Sequence, residues 1–157
     1  MTSWDAGVSR LLWPLVSVFM VMMLGLAATG GEGKRVNRSR DGLGLRGYDP
    51  VVYFTEGRAT PGNSSFEYGF EQTRYRFVSA ANRDLFAKSP AQYVPQYGGF
   101  CAYAVSRGYT ADVDPEAWAV VDGKLYLNYS KRVRRLWQED VSGNIRKADA
   151  NWPNLRN

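Results

Sequence analysis

The chain of 157 residues contains no histidine and only one cysteine, Cys101. Without imidazole there is no Ser-His-Asp or Cys-His catalysis, no histidine-held haem, no imidazole metal ligand and no histidine pH switch. A single thiol forms no intramolecular disulfide, so cysteine usage says nothing about compartment. A closed zinc site needs four nitrogen or sulfur ligands, which one cysteine cannot supply. No internal repeat is present either. The hydrophobic content of 45% excludes disorder of the whole chain, and the length suits one domain whose core needs neither disulfide nor metal.

Charge is present in excess and in clusters. The net charge is +5, and residues 34–157 hold 19 basic and 13 acidic side chains. Lys34, Arg35, Arg38 and Arg40 form one basic group; Lys131, Arg132, Arg134 and Arg135 form another. The second group invites nucleic acid, but it lacks interleaved stacking aromatics and any known reading motif. A solvated helix face is expected, with no nucleic-acid partner.

Apolar character is concentrated at the amino terminus. Leu11 to Ala28 is a run of 18 apolar or small residues, nearly enough for a helix to span a bilayer. Two readings of residues 1–29 fit, a signal peptide cleaved after small residues at Ala28 and Gly30, or a transmembrane anchor. Cleavage exports the domain and gives a periplasmic location. Retention places four basic residues on the C-terminal flank against Arg10 alone on the other, which favours a cytoplasmic domain by the positive-inside rule. Residues 30–45, without periodicity, read as a basic linker, a solvated spacer rather than a lipid-touching segment. Asn37-Arg38-Ser39 has the glycosylation pattern.

The folded part is expected over residues 46–157. Tyr48-Asp49-Pro50 forms a turn, and Val51–Phe54 reads as a short strand. Phe66, Tyr68 and Phe70, then Tyr75 and Phe77, alternate with polar residues and predict a β-hairpin with one aromatic face. Ser79 caps a helix over Ala80–Lys88 that buries Leu85 and Phe86; Ser89-Pro90 opens a second helical turn, which Pro95 ends. Ala102–Val105 reads as a buried strand. Asp122-Gly123, between the apolar runs of Trp118–Tyr129, is the favoured two-residue hairpin turn. From Ser130 a helix presents Val133, Leu136, Trp137 and Val141; a last helix presents Ile145, Ala148 and Trp152 and stops at Pro153. The class is α+β, antiparallel hairpins packed against short helices, with an N-terminal hydrophobic helix.

The stretches YDPVVYF (Tyr48–Phe54), YRFVSAANRDLFAKSPAQYVPQYGGFCAYAV (Tyr75–Val105) and GKLYLNYS through ADANWP (Gly123–Pro153) resemble the YHS-domain family. More narrowly they resemble its exported bacterial branch of roughly 150 residues. The resemblance covers nearly everything from Asp41 onward. It implies a small α+β domain behind a signal sequence, and no established catalytic activity. Metal-associated modules of the wider group carry three thiols; on this chain those places hold Val52, Val78 and Asn82. The resemblance therefore implies no metal role here, and no cofactor is expected.

Gln96–Gly108 is the chemical centre of attention. Cys101 as a nucleophile needs a base or cation to form thiolate; Arg107 is the nearest cation in sequence, and a small buried hydrophobe is the plainer role. Asp112, Asp114 and Glu116 lack the glycine and distal glutamate of a calcium loop and read as a solvated loop. A pocket wall or partner surface is the expectation around the Gly98-Gly99 pair, from Tyr48, Asp49, Tyr97, Gly98, Gly99, Cys101, Tyr103, Trp118, Tyr126 and Asn128, with packing into the core as the alternative. The function expected is a non-catalytic module binding a small ligand or a protein partner. The alternatives are an accessory subunit of a membrane complex held by an uncleaved helix, and a thiol-dependent metal-handling or redox protein.

Overall fold

In the computed structural model, Met1 and residues 35–157 are described, all but Met1 lying in the unit Gly31–Asn157. The apolar run 11–28 lies outside the described residues; among those described, no helix is long and apolar enough to cross a membrane. The class is mixed α+β, with two separate two-stranded antiparallel hairpins and six helices among the described residues. The order is α1 (Val52–Thr55), β1 (Asn63–Phe70), β2 (Thr73–Phe77), α2 (Ala80–Lys88), α3 (Pro90–Tyr93), α4 (Ala102–Ser106), β3 (Asp114–Val121), β4 (Lys124–Asn128), α5 (Lys131–Gln138) and α6 (Val141–Leu155).

A lone hairpin is marginal in water, so each needs a helix on its apolar face. The first hairpin cups Phe86 of α2, whose ring lies 5.1–6.4 Å from those of Tyr68, Phe70, Tyr75, Phe77 and Tyr93. The hairpin turns at Glu71-Gln72 with φ of 44° and 60°, and a bulge between Asn63 and Glu67 shifts its register. Ser79 caps α2 by accepting from the Asn82 N–H at 3.2 Å. Leu85, expected in the core, is 42% exposed, because α2 is short and Phe86 alone faces the aromatic cup.

The second hairpin separates two cores. Leu125 and Leu127 of β4 pack with Phe77, Phe86 and Cys101, whereas Tyr126 points the other way onto Trp137. The N-cap and first turn of α4 divide in the same manner: Cys101 and Ala104 face the first core, Ala102 and Val105 the second. The turn at Asp122-Gly123 has φ of 50° and 70°, as the two-residue hairpin requires.

Three expected strands or stops differ from the structure. Val51–Phe54 is the start of α1 rather than a strand, because the Asp49 carboxylate accepts from the Val51 N–H at 2.7 Å and turns the chain. Ala102–Val105 is helix α4, closed by Val105 N–H to Cys101 C=O at 3.0 Å; a short apolar run has no period to separate the two states. Helix α6 runs through Pro153 to Leu155. Asp149, whose carbonyl loses its partner to proline, is exposed, so water can replace that bond.

Residues 35–45 are not a solvated spacer. Arg35 N–H donates to Arg156 C=O and Asn37 N–H to Gly98 C=O, each at 2.8 Å, Leu43 bridges to Arg74, and Leu45 is buried. The sequence lacked periodicity there because the segment is a strap, held by backbone bonds to distant parts of the chain.

Candidate functional site

The ten residues expected at a ligand or partner surface fall into separate environments. Gly98 and Gly99 meet the chain itself. Their φ values are +59° and +79°, and a Cβ on Gly98 would lie 2.4 Å from the Arg35 carbonyl oxygen. Asn37 completes the crossing: its Nδ2 donates to Gly99 C=O at 3.1 Å and to Asp112 Oδ1 at 3.0 Å. The glycine pair therefore serves the passage of the strap. The same contacts use the amide that a glycan on Asn37 would occupy.

Tyr97 and Tyr126 are buried in the second core with ring centroids 5.9 Å apart, and the Tyr97 hydroxyl donates to Asp149 Oδ1 at 2.9 Å. Tyr48 and Trp118 pack, half-buried, against the first core, and Trp118 meets Tyr53 edge-on at 5.3 Å. Asp49 is fully buried. Its Oδ1 accepts from Val51 N–H, and its Oδ2 accepts from Val78 N–H and from Asn82 Nδ2, both at 2.8 Å. This carboxylate ties the entry of α1 to the entry of α2.

Cys101, Tyr103 and Asn128 do come together. Asn128, fully buried at the end of β4, accepts the Tyr103 N–H at 3.2 Å through Oδ1, which lies 3.8 Å from the Cys101 Sγ. The Tyr129 N–H donates to the same sulfur at 3.2 Å. Burial pushes the Cys101 thiol above its ordinary pKa, against the smaller downward pull of the neighbouring backbone N–H groups. A nucleophilic cysteine needs the opposite shift. Arg107, the nearest cation in sequence, instead donates to the Tyr103 hydroxyl at 2.8 Å and lies over that ring, 4.8 Å from its centroid.

Above the thiol opens a cleft of about 280 Å³. Its walls are Cys101, Tyr103, Ala104, Tyr109, Ala111, Tyr129 and Val133, contributed by α4, the loop after it, the end of β4 and α5. Tyr109 and Tyr129 are 55% and 60% exposed. The sequence reading named Cys101 and Tyr103 here and missed the other five. A signal existed for Tyr129: the two-residue period of Leu125 and Leu127 carries to it, one step beyond the strand.

Of the carboxylates that suggested a cation loop, Asp112 is engaged outside it and Asp114 in a local turn. Asp112 pairs with Arg46, which with Asn37 and the Val113 N–H holds its carboxyl below the ordinary aspartate range despite partial burial. Asp114 Oδ1 accepts from the Glu116 N–H at 2.9 Å. Among the described residues, no group of three or more His, Cys, Asp or Glu side chains is placed to hold a metal. No family model matches the chain, and no curated protein or solved structure matches it either.

Proposed function

We propose that this domain is a non-catalytic binding module, exported or held at a membrane, which takes a small ligand or a side chain of a protein partner into the cleft above Cys101. The observation that carries the reading is the cleft itself, an apolar recess with two half-exposed tyrosines at its mouth. Tyrosine supplies a large apolar face and a polar tip at low entropic cost, which suits a binding wall. The buried, protonated thiol at its base argues against chemistry and for packing.

The resemblance to the YHS-domain family supports the same reading. Of the three places where metal-associated modules of that group carry thiols, Val52 is fully buried, Val78 is half-buried, and Asn82 donates to the buried Asp49. A hydrogen-bonded carboxylate thus takes up the region in which a thiolate set would be expected. The export or anchoring part of the proposal rests on the apolar run 11–28. Retention of that run favours a second reading, an accessory subunit of a membrane complex.

Native mass spectrometry of the full-length chain, purified without chelators from its own cells, tests the binding function. We expect a bound species that is lost when Tyr109 and Tyr129 are both changed to Ala. A species retained by that variant, or a wild-type chain of bare mass alone, overturns the reading.

A further inference from the structure

Taking the cleft above Cys101 as the binding site, we infer that its occupant is an uncharged aromatic group of one or two fused rings. The cleft holds about 280 Å³, just below the range of pockets that enclose a whole drug-sized ligand, which suits a compact ring system. It is walled by phenol, sulfur and small aliphatic side chains, and none of them is charged. A charged group seated there would exchange water for surfaces that hold no counter-ion.

The charges closest along the chain are of both signs and do not line the recess. Lys131 and Arg132 precede Val133, Asp112 and Asp114 follow Ala111, and Arg107 is held on the Tyr103 hydroxyl at 2.8 Å. Burial keeps the Cys101 thiol neutral, and its sulfur already accepts the Tyr129 N–H at 3.2 Å. The recess therefore selects for shape and apolar contact, with no ion to answer.

The state of the tyrosines points to a ring. Ring contacts run through both cores: Phe86 meets five other rings, and Tyr97, Tyr126, Trp137 and Trp152 are linked in series. Among the described residues, the rings without a ring partner are those of Tyr48, Phe66, Tyr103, Tyr109 and Tyr129. Tyr48 and Phe66 pack on the first core. The other three line the cleft. Arg107 lies over Tyr103, 4.8 Å from its centroid, while Tyr109 and Tyr129 belong to neither core. An inserted ring gains edge or offset contacts with these phenols, and a contact with the sulfur, which a saturated group of equal area does not.

The test is methyl NMR of the full-length chain in lipid nanodiscs, with carbon-labelled alanine and valine. The probes are matched bicyclic compounds at neutral pH: naphthol, its saturated counterpart decahydronaphthol, the anion naphthoate and the cation naphthylmethylammonium. Naphthol is expected to shift the methyl signals of Ala104, Ala111 and Val133 by its ring current and to leave Ala148, in the second core, unmoved. The saturated probe and both ions bind about tenfold more weakly. The double change Tyr109→Ala with Tyr129→Ala weakens naphthol about tenfold, and an unmoved Ala148 signal establishes that this variant remains folded. Equal binding of the saturated probe overturns the aromatic occupant, and equal binding of either ion overturns the uncharged one; each result leaves the cleft as a binding site. Naphthol binding that survives the double change overturns the cleft reading as well. If no probe moves the three methyl signals, the inference falls, while the bound species sought by native mass spectrometry still decides the binding function. A capped pentapeptide with a central Trp separates the two sources of such a ring. Binding tighter than that of naphthol assigns the ring to a protein partner's side chain, and weaker or absent binding assigns it to a free molecule; the ring chemistry stands in both.

Discussion

Removing the Asp49 carboxylate should be among the most damaging single changes in the domain, because three donors depend on it. In Asp49→Ala the Val51 N–H, the Val78 N–H and the Asn82 amide all lose their acceptor. A buried donor left unpaired costs about 1–3 kcal/mol. Val78 and Asn82 are only half-buried and can recruit water, so each is counted near the low end, and the truncated side chain leaves a void besides. The relief of burying no carboxylate offsets part of this, and a net loss of about 3 kcal/mol is expected from a total of about 5–15. Asp49→Asn is the sharper probe, being nearly isosteric. Both oxygens accept, so either orientation of the new amide sets an NH2 against an N–H donor, and at least about 2 kcal/mol should be lost. Asn82→Ala should cost about 1 kcal/mol in the native background and close to nothing once Asp49→Ala is already present, giving a coupling of about 1 kcal/mol. Urea unfolding followed by tryptophan fluorescence reads all four variants, with an unchanged slope required. If Asp49→Asn lies within about 0.5 kcal/mol of the native chain, the carboxylate is not the tie described.

Gly98→Ala places a methyl group 2.4 Å from the Arg35 carbonyl at a φ of +59°, so the strap must lift and give up its bond from Asn37. The expected loss is about 1–3 kcal/mol. Trypsin cleavage at Arg35 and Arg38 should also accelerate, and unchanged cleavage with an unchanged unfolding midpoint would count against the strap. Alkali should weaken the fold by a separate route. Burial raises the phenols of Tyr53, Tyr75, Tyr97 and Tyr126 above their ordinary value of 10, and the Cys101 thiol above its value of 9. The unfolded chain then sheds protons that the folded chain retains, so stability from these groups is complete below about pH 8.5 and falls as pH rises past 9 and then 10. Denaturation midpoints measured from pH 7 to 11 should drop in that order; a flat series is the contrary result.

Capped and turned elements were legible from local chemistry. Ser79 and Ser130 each accept the N–H three residues on, and Asp122-Gly123 adopts the left-handed pair its sequence requires. Short apolar runs were not. Val51–Phe54 and Ala102–Val105 carry no period, and what decides them lies outside the run: the Asp49 carboxylate for one, the packing of α4 on α6 for the other. That packing uses polar side chains, with Asn144 bridging Ser106 and the Trp137 carbonyl, and Asn151 meeting the Val105 carbonyl at 3.0 Å. No periodicity announces such residues. The strap was illegible for the same reason, since its partners are up to 121 positions away, as at Arg35 and Arg156.

The candidate site was half visible because aromatic content does not separate wall from core. Tyr97 and Tyr126 bury their rings, while Tyr109 and Tyr129 leave theirs at the surface, and only the second pair can meet a partner. The start of α5 is a separate basic surface. Lys131 and Arg132 occupy the first turn of α5, where the helix dipole disfavours cations, and Arg135 lies four residues from Lys131, a like-charge spacing. Each arrangement costs the isolated helix a few tenths of a kcal/mol, and among the described residues no carboxylate pairs with these three side chains. The Ser130 cap satisfies an N–H group and leaves the charge unanswered.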